Sequence, residues 1–403
     1  MAFLIKSHEA RPADDPIFAL NSEARARAKA GESVINATVG SLLEDDGSLA
    51  MLPTVVEAAR ATPAAVGAGY APIAGPPTFL QAVTRDLLGD RKEAAWVASV
   101  ATPGGTGALR HAISNFLEPK QTLLTTSFYW GPYKTLADEN DRGIATFRMF
   151  DERGRFDSKA MRAALEKQLH GERRALMFLN SPCHNPTGYS LDSSEWLEVR
   201  ETIEDLSSIG PISVCLDVAY ARFGAQPLSV MLDEMLALVP KALVLFAWSA
   251  SKSFLQYGMR VGALLAVSSD DDERRRIQSA LTYSCRGTWS NANSGGMDAI
   301  TRVLNDPALR AKVDEERAVS TALLARRVAR WNELAPARGL KYPRYDGGFF
   351  VTVFTDDAFG AAEKLKTSGV FVVPQAGALR VAVCSVAERD VPRLVDEIAK
   401  AIG

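Results

Sequence analysis

The sequence predicts an α/β fold: a large domain with a mainly parallel sheet between helices, plus a smaller α+β domain. Short apolar runs recur between residues 96 and 268, most of them without a polar face. Strands covered by helices on both sides read this way. Helical patterns fall between several of these runs, the alternation expected when crossover helices join parallel strands. Past residue 305 the texture changes to one long helix followed by strands mixed with helices.

Taken in order, the first forty residues hold Pro-rich turns and a polar helix around 22–30. Strands are predicted at 96–102, 122–126, 175–180, 212–219, 242–249 and 262–268. Residues 307–334 read as a single helix, longer than typical globular helices. The runs 347–354, 370–374 and 379–386 read as strands, and 357–368 and 387–402 as helices. The predicted division is a large domain over 45–310 and a small domain made of 1–44 with 311–403.

The 403 residues are 47% hydrophobic, enough for one large core and a smaller one. A net charge of −2 gives no basic excess for nucleic acid or an anionic membrane, so small-molecule chemistry is expected. Cys183, Cys215, Cys285 and Cys384 are widely spaced with no CxxC pair, a pattern of reduced thiols. His8, His111, His170 and His184 show no metal-ligand spacing, and no metal is expected. No stretch approaches the roughly 20 apolar residues that span a bilayer. The apolar run before Lys6 is too short for a secretory leader, so the expected location is cytoplasmic.

Four segments carry chemistry. Lys252 follows an apolar strand and is flanked by Ser249 and Ser251. That puts it at the carboxyl edge of a sheet, where open α/β folds bind ligands. Desolvation and a nearby cation make such an amine nucleophilic toward an aldehyde, and Arg260 suits a phosphate; in isolation the lysine also reads as an ordinary strand-end residue. Asp217 ends another apolar run, and a carboxylate buried there needs a cation or donor, although it equally reads as a helix N-cap. A protonated pyridine nitrogen would satisfy it and keep the ring an electron acceptor. Tyr220 follows three residues later. Asn185 opens an Asn-Pro-Thr-Gly turn and has an amide to donate, though turn chemistry alone explains the motif. Residues 102–117 form a Gly-rich turn entering a helix; free N–H groups there suit a phosphate, but such loops are common.

As a set and in this order, NPTG (185–188), DVAY (217–220) and SASK (249–252) with an arginine eight residues on resemble the class I aminotransferases of the fold type I pyridoxal-phosphate superfamily. The resemblance is strongest to the aspartate and aromatic amino acid aminotransferases and runs from near residue 13 to the last helix. It implies that pyridoxal 5′-phosphate is bonded to Lys252, which shuttles the substrate proton. It pairs Asp217 with the ring nitrogen, Asn185 and Tyr220 with the phenolic oxygen, and Gly105, Thr106, Ser249 and Arg260 with the phosphate. Trp130 would stack on the ring, its alternative being a core tryptophan. Tyr70 would reach the phosphate of a neighbouring subunit, implying a homodimer with shared sites. Arg380 would bind the substrate α-carboxylate, and Gly40 would lie against the substrate, as would Trp130 and Asn185.

The implied reaction is ping-pong transfer of an amino group from an amino acid to a 2-oxo acid, through pyridoxal and pyridoxamine forms, on dicarboxylic or aromatic substrates. Arg286 matches the position that reads a side-chain carboxylate, with a structural ion pair and another substrate contact as the other readings. Ala292 and Asn293 replace the family's proline pair, Gly104 stands where serine is frequent, and 41–47 also departs from the pattern. A lyase or decarboxylase on the same scaffold would share Lys252 and Asp217. A DNA-binding regulator of this shape would need a further domain and a basic surface.

Overall fold

The computed structural model describes residues 3–9, 11 and 16–403. The start of the resemblance, near residue 13, lies partly outside them. Strands are labelled in chain order: β1 (Ile35–Asn36), β2 (Val97–Pro103), β3 (Thr122–Thr126), β4 (Gly143–Phe147), β5 (Ala175–Asn180), β6 (Ile212–Asp217), β7 (Leu243–Ser249), β8 (Val261–Val267), β9 (Val351–Phe354), β10 (Val370–Phe371), β11 (Val373–Gln375) and β12 (Ala378–Val381). The chain forms two compact units. The larger comprises Ala50–Ala325 and Pro343–Gly348; the smaller comprises residues up to Leu49, Arg326–Tyr342 and Phe349–Gly403.

The larger unit is built on a seven-stranded sheet in the order β2-β8-β7-β6-β5-β3-β4. Strands β4, β3, β5, β6 and β7 are mutually parallel, whereas β8 runs antiparallel to both β7 and β2. The six strands expected from the sequence here are present. The seventh, β4, was not expected because it is an edge strand in which only Phe147 is buried, with no apolar run. The direction of β8 was equally hidden: all seven of its residues are buried, and such a strand reads alike either way.

Helices cover the sheet because their apolar stripes match it. Gly104–Phe116 follows β2 directly and buries Ala108, Leu109, Ala112 and Ile113 on β7 and β8. Each such Leu or Ile is worth about 1.5–3 kcal/mol in burial. Ser193–Leu206 starts in a capping box: Asp192 Oδ1 accepts from Glu195 N at 3.0 Å, and Glu195 Oε2 accepts from Asp192 N at 2.9 Å. Buried Asp86 joins three elements, accepting from Arg222 (2.6 Å), Arg310 (2.7 Å) and the Trp248 indole (3.0 Å).

In the smaller unit β1 pairs in parallel with β10, and β11-β12-β9 form an antiparallel sheet. Helix Val391–Ile402 buries Val391, Leu394, Val395 and Ile398. The predicted strand at 379–386 is shorter than expected, ending at Val381 before a 3-10 turn at Val383–Ser385. The fully buried Arg327 holds that turn through Cys384 O (2.7 Å) and also bonds Leu43 O (2.7 Å) and Asp45 (2.8 Å). The long helix has the predicted bounds, Pro307–Leu334, contributing residues to Ala325 to the larger unit and the rest to the smaller. Among the described residues no helix is long and apolar enough to cross a membrane.

Candidate active site

Sheet register gathers the site. Asn180 at the end of β5 is paired with Asp217 at the end of β6, and Asp217 with Ala247 in β7. Two residues on, Ser249 ends β7 and caps the short helix Ala250–Ser253, its Oγ accepting from Ser251 N at 3.1 Å. That helix carries Lys252. Because β8 is antiparallel, it begins at the edge where β2 and β7 end: Val261 pairs with Pro103, and Gly262 with Ser249. Arg260, Gly104, Ser249 and Lys252 are thereby brought to one sheet edge, the edge that binds ligands in such folds.

Lys252 Nζ lies 5.8 Å from the centre of the Tyr220 ring and 4.5 Å from that of Tyr257. Tyr220 receives a long hydrogen bond, 3.5 Å, from Asn185 Nδ2. The turn bearing Asn185 is pinned by Asn180, whose Oδ1 accepts from Asn185 N at 2.6 Å and whose Nδ2 donates to Asp217 O at 2.8 Å. Asp217 does not cap a helix: β6 runs into a turn, and Oδ1 accepts from Ala219 N at 3.2 Å. Its Oδ2 accepts from the buried Tyr133 phenol at 2.7 Å. Burial pushes the Asp217 carboxyl up; the bonds from Tyr133 and Ala219 oppose this, and burial prevails.

At the same sheet edge the helix Gly104–Phe116 begins with Gly104, Gly105 and Thr106, whose N–H groups lack intrahelical partners as at any helix start. Arg260 donates from Nη1 to Ser251 Oγ (3.2 Å) and Tyr257 O (2.9 Å), and from Nη2 to Pro103 O (3.3 Å). Gly104 has φ +67°, and a Cβ there would stand 2.9 Å from Arg260 Cζ. The arginine therefore fills the place of a side chain, which accounts for glycine at this position.

These residues fit pyridoxal phosphate. Asp217 is 6% exposed and, among the described residues, has no ion-pair partner, a setting that a protonated ring nitrogen completes. Asn185 Oδ1 is buried without a hydrogen-bond partner. Trp130 packs edge-on against Tyr133 with ring centres 5.8 Å apart, so it is part of the core margin as well as of this edge.

Tyr70 is 94% exposed. Arg286 is exposed in the last turn of helix Asp271–Thr288 and donates to Ser290 Oγ at 2.7 Å. Gly40 and Arg380 belong to the smaller unit. There Arg380 is 4% exposed, bonds Thr38 O at 2.5 Å and lies 4.7 Å over the Phe350 ring. A Cβ at Gly40 would run into that same ring. Sequence reasoning missed Tyr133 and Asn180. A tyrosine on an apolar helix face needs a partner for its hydroxyl, which was the available signal for the first.

The family model "Aminotransferase class I and II" matches residues 32–398. An aspartate aminotransferase of Pseudomonas aeruginosa is 31% identical over 379 residues, 89% of this chain and 90% of the relative. A crystal structure of an aminotransferase from Anaerococcus prevotii superposes with a TM-score of 0.95 at 31% identity, covering 100% of both chains. An aromatic-amino-acid aminotransferase from Burkholderia pseudomallei, covalently bound to pyridoxal phosphate, superposes with a TM-score of 0.82 at 25% identity over 99% of this chain and 100% of that one. The chain belongs to the class I and II aminotransferases and is a fold type I enzyme that transfers amino groups with pyridoxal phosphate.

Proposed function

We propose that the chain moves an amino group from a dicarboxylic or aromatic amino acid to a 2-oxo acid, with Lys252 as its catalytic base. The observation that carries this is the convergence of Lys252, Tyr220, Asn185 and Asp217 on the ends of the adjacent strands β5, β6 and β7. Relatives named for aspartate, aromatic amino acids and tyrosine support the substrate classes.

Lys252 Nζ would hold the coenzyme, and the same amine would act as the general base that takes the proton from the substrate Cα. The bound coenzyme supplies an electron-accepting ring that spreads the charge left at Cα. Asp217 holds a proton at the ring nitrogen, and Asn185 and Tyr220 bond the phenolic oxygen. Gly105, Thr106, Ser249 and Arg260 hold the phosphate, and Trp130 covers the ring face. Arg380 takes the substrate α-carboxylate in a bidentate fork, with the Gly40 backbone alongside. Arg286 reads a side-chain carboxylate.

The active form in this reading is a cytoplasmic homodimer, and the exposed Tyr70 completes the neighbouring subunit's phosphate site. Residues 45–310 act as the cofactor-binding domain, and 1–44 with 311–403 as the small domain. The test is a panel of amino donors with 2-oxoglutarate, comparing the parent with Lys252→Ala and Arg286→Ala. Lys252→Ala should abolish transfer and the absorption band of lysine-bound coenzyme; retention of both would overturn the proposal. Arg286→Ala should weaken aspartate and spare aromatic donors. Equal loss on both removes the side-chain role.

A further inference from the structure

We infer that Tyr133 is a positioning residue for Asp217: its phenol donates to Oδ2 and holds that carboxylate as an anion for the coenzyme's ring nitrogen. The inference rests on the assignment of Asp217 to the ring nitrogen made above. Tyr133 sits in the helix Pro132–Asp138, is 1% exposed, and is fixed by edge-on contacts with Phe178 (5.2 Å) and Trp130 (5.8 Å). Its hydroxyl reaches Asp217 Oδ2 at 2.7 Å. One side chain therefore braces both the ring-facing carboxylate and the ring-stacking tryptophan.

Among the described residues, Tyr133 from the helix and Cys215 from β6 itself interact with Asp217; Tyr220, from the turn after β6, acts on Tyr133, and Lys252 Nζ lies over the Tyr220 ring. Burial, then the Asp217 charge, pushes the Tyr133 phenol well above its usual range, so it remains a donor. The same two causes push the Cys215 thiol up and keep it neutral. Before coenzyme arrives, two hydrogen bonds, from Tyr133 and Ala219, oppose the burial of this anion. A hydrogen bond to a charged group favours the charged form. Removing the phenol leaves the Ala219 N–H, so Asp217 keeps its proton to a higher pH. A protonated Asp217 cannot pair with a cationic ring, and the coenzyme loses its grip and its protonated nitrogen together.

The experiment titrates coenzyme-free protein with pyridoxal phosphate across pH for the parent, Tyr133→Phe, Asp217→Asn and a form with 3-fluorotyrosine replacing Tyr133. Phenylalanine keeps the contacts with Phe178 and Trp130 and removes only the donor. The acid limb of binding should move up by about one to two pH units in Tyr133→Phe, the shift expected from losing one hydrogen bond to a charged group. Fluorination strengthens the phenol as a donor and should move the limb down. If Tyr133→Phe folds poorly, the fluorinated form decides. An unmoved acid limb in a folded variant overturns the inference, because a packing role alone does not change it. Asp217→Asn should bind weakly at every pH; unaltered binding there overturns the Asp217 assignment, a result distinct from failure at Tyr133.

Discussion

Replacing Gly104 by alanine separates the fold from the phosphate grip. At φ +67° an L-residue costs about 1 kcal/mol of stability, because its Cβ crowds the following carbonyl. The new Cβ would stand 2.9 Å from Arg260 Cζ and 3.2 Å from Nη1, closer at Cζ than Cβ atoms tolerate. The obstacle is the end of a flexible side chain, so the guanidinium swings away and the sheet stays. The bonds it leaves, at 2.9, 3.2 and 3.3 Å on an exposed arginine, contribute little by themselves. Coenzyme binding is where the displacement matters. A charge-assisted hydrogen bond is worth about 1.5–3 kcal/mol, so its loss should weaken pyridoxal phosphate by roughly tenfold to a hundredfold. Urea unfolding of coenzyme-free protein reads the first effect, and direct titration with coenzyme reads the second. A variant with the stability loss but parental affinity would refute the placement of Arg260 on the phosphate.

Asp86→Asn should cost about 3 kcal/mol in urea unfolding at neutral pH, the low end for breaking a buried pair, since Arg222 and Arg310 are about a quarter exposed. Burial pushes the Asp86 carboxyl up, but the two arginines and the Trp248 bond outweigh it and hold it below the ordinary carboxylate range. Its contribution is therefore complete above the unfolded value, about pH 4, and is lost as pH falls through the lower folded one; the gap between parent and variant should close only below pH 4. Leu245→Ala, in the centre of β7 with no exposure, should cost about 2–5 kcal/mol by opening a cavity among Leu109, Ala247 and their neighbours, read by the same unfolding curve.

What the sequence discloses follows from how local each signal is. The runs that became β5, β6 and β7 are buried on both faces, so hydrophobicity alone marks them, and the residues just beyond them inherit a place at the sheet edge. Lys252, Asp217 and Asn185 were legible for that reason. Strand direction is not encoded in such runs, and with β8 it decides everything about Arg260: a parallel β8 would begin at the opposite edge, with Arg260 there too. The eight-residue interval between Lys252 and Arg260 is thus a statement about a loop that leaves the edge and comes back to it. Gly104 belongs to the same logic. Its departure from serine is unintelligible along the chain and becomes a packing requirement once β2 and β8 are seen to be neighbours, with Pro103 opposite Val261. Tyr133 stands three residues past Trp130, and nothing local names its partner, which lies 84 residues away on another strand. Chemistry carried by one side chain survives in the sequence, whereas the hydrogen bond that conditions it exists only after the sheet has formed. Substitutions at the conditioning positions, Gly104 and Tyr133, are therefore expected to change coenzyme binding without touching Lys252, Asp217 or Asn185.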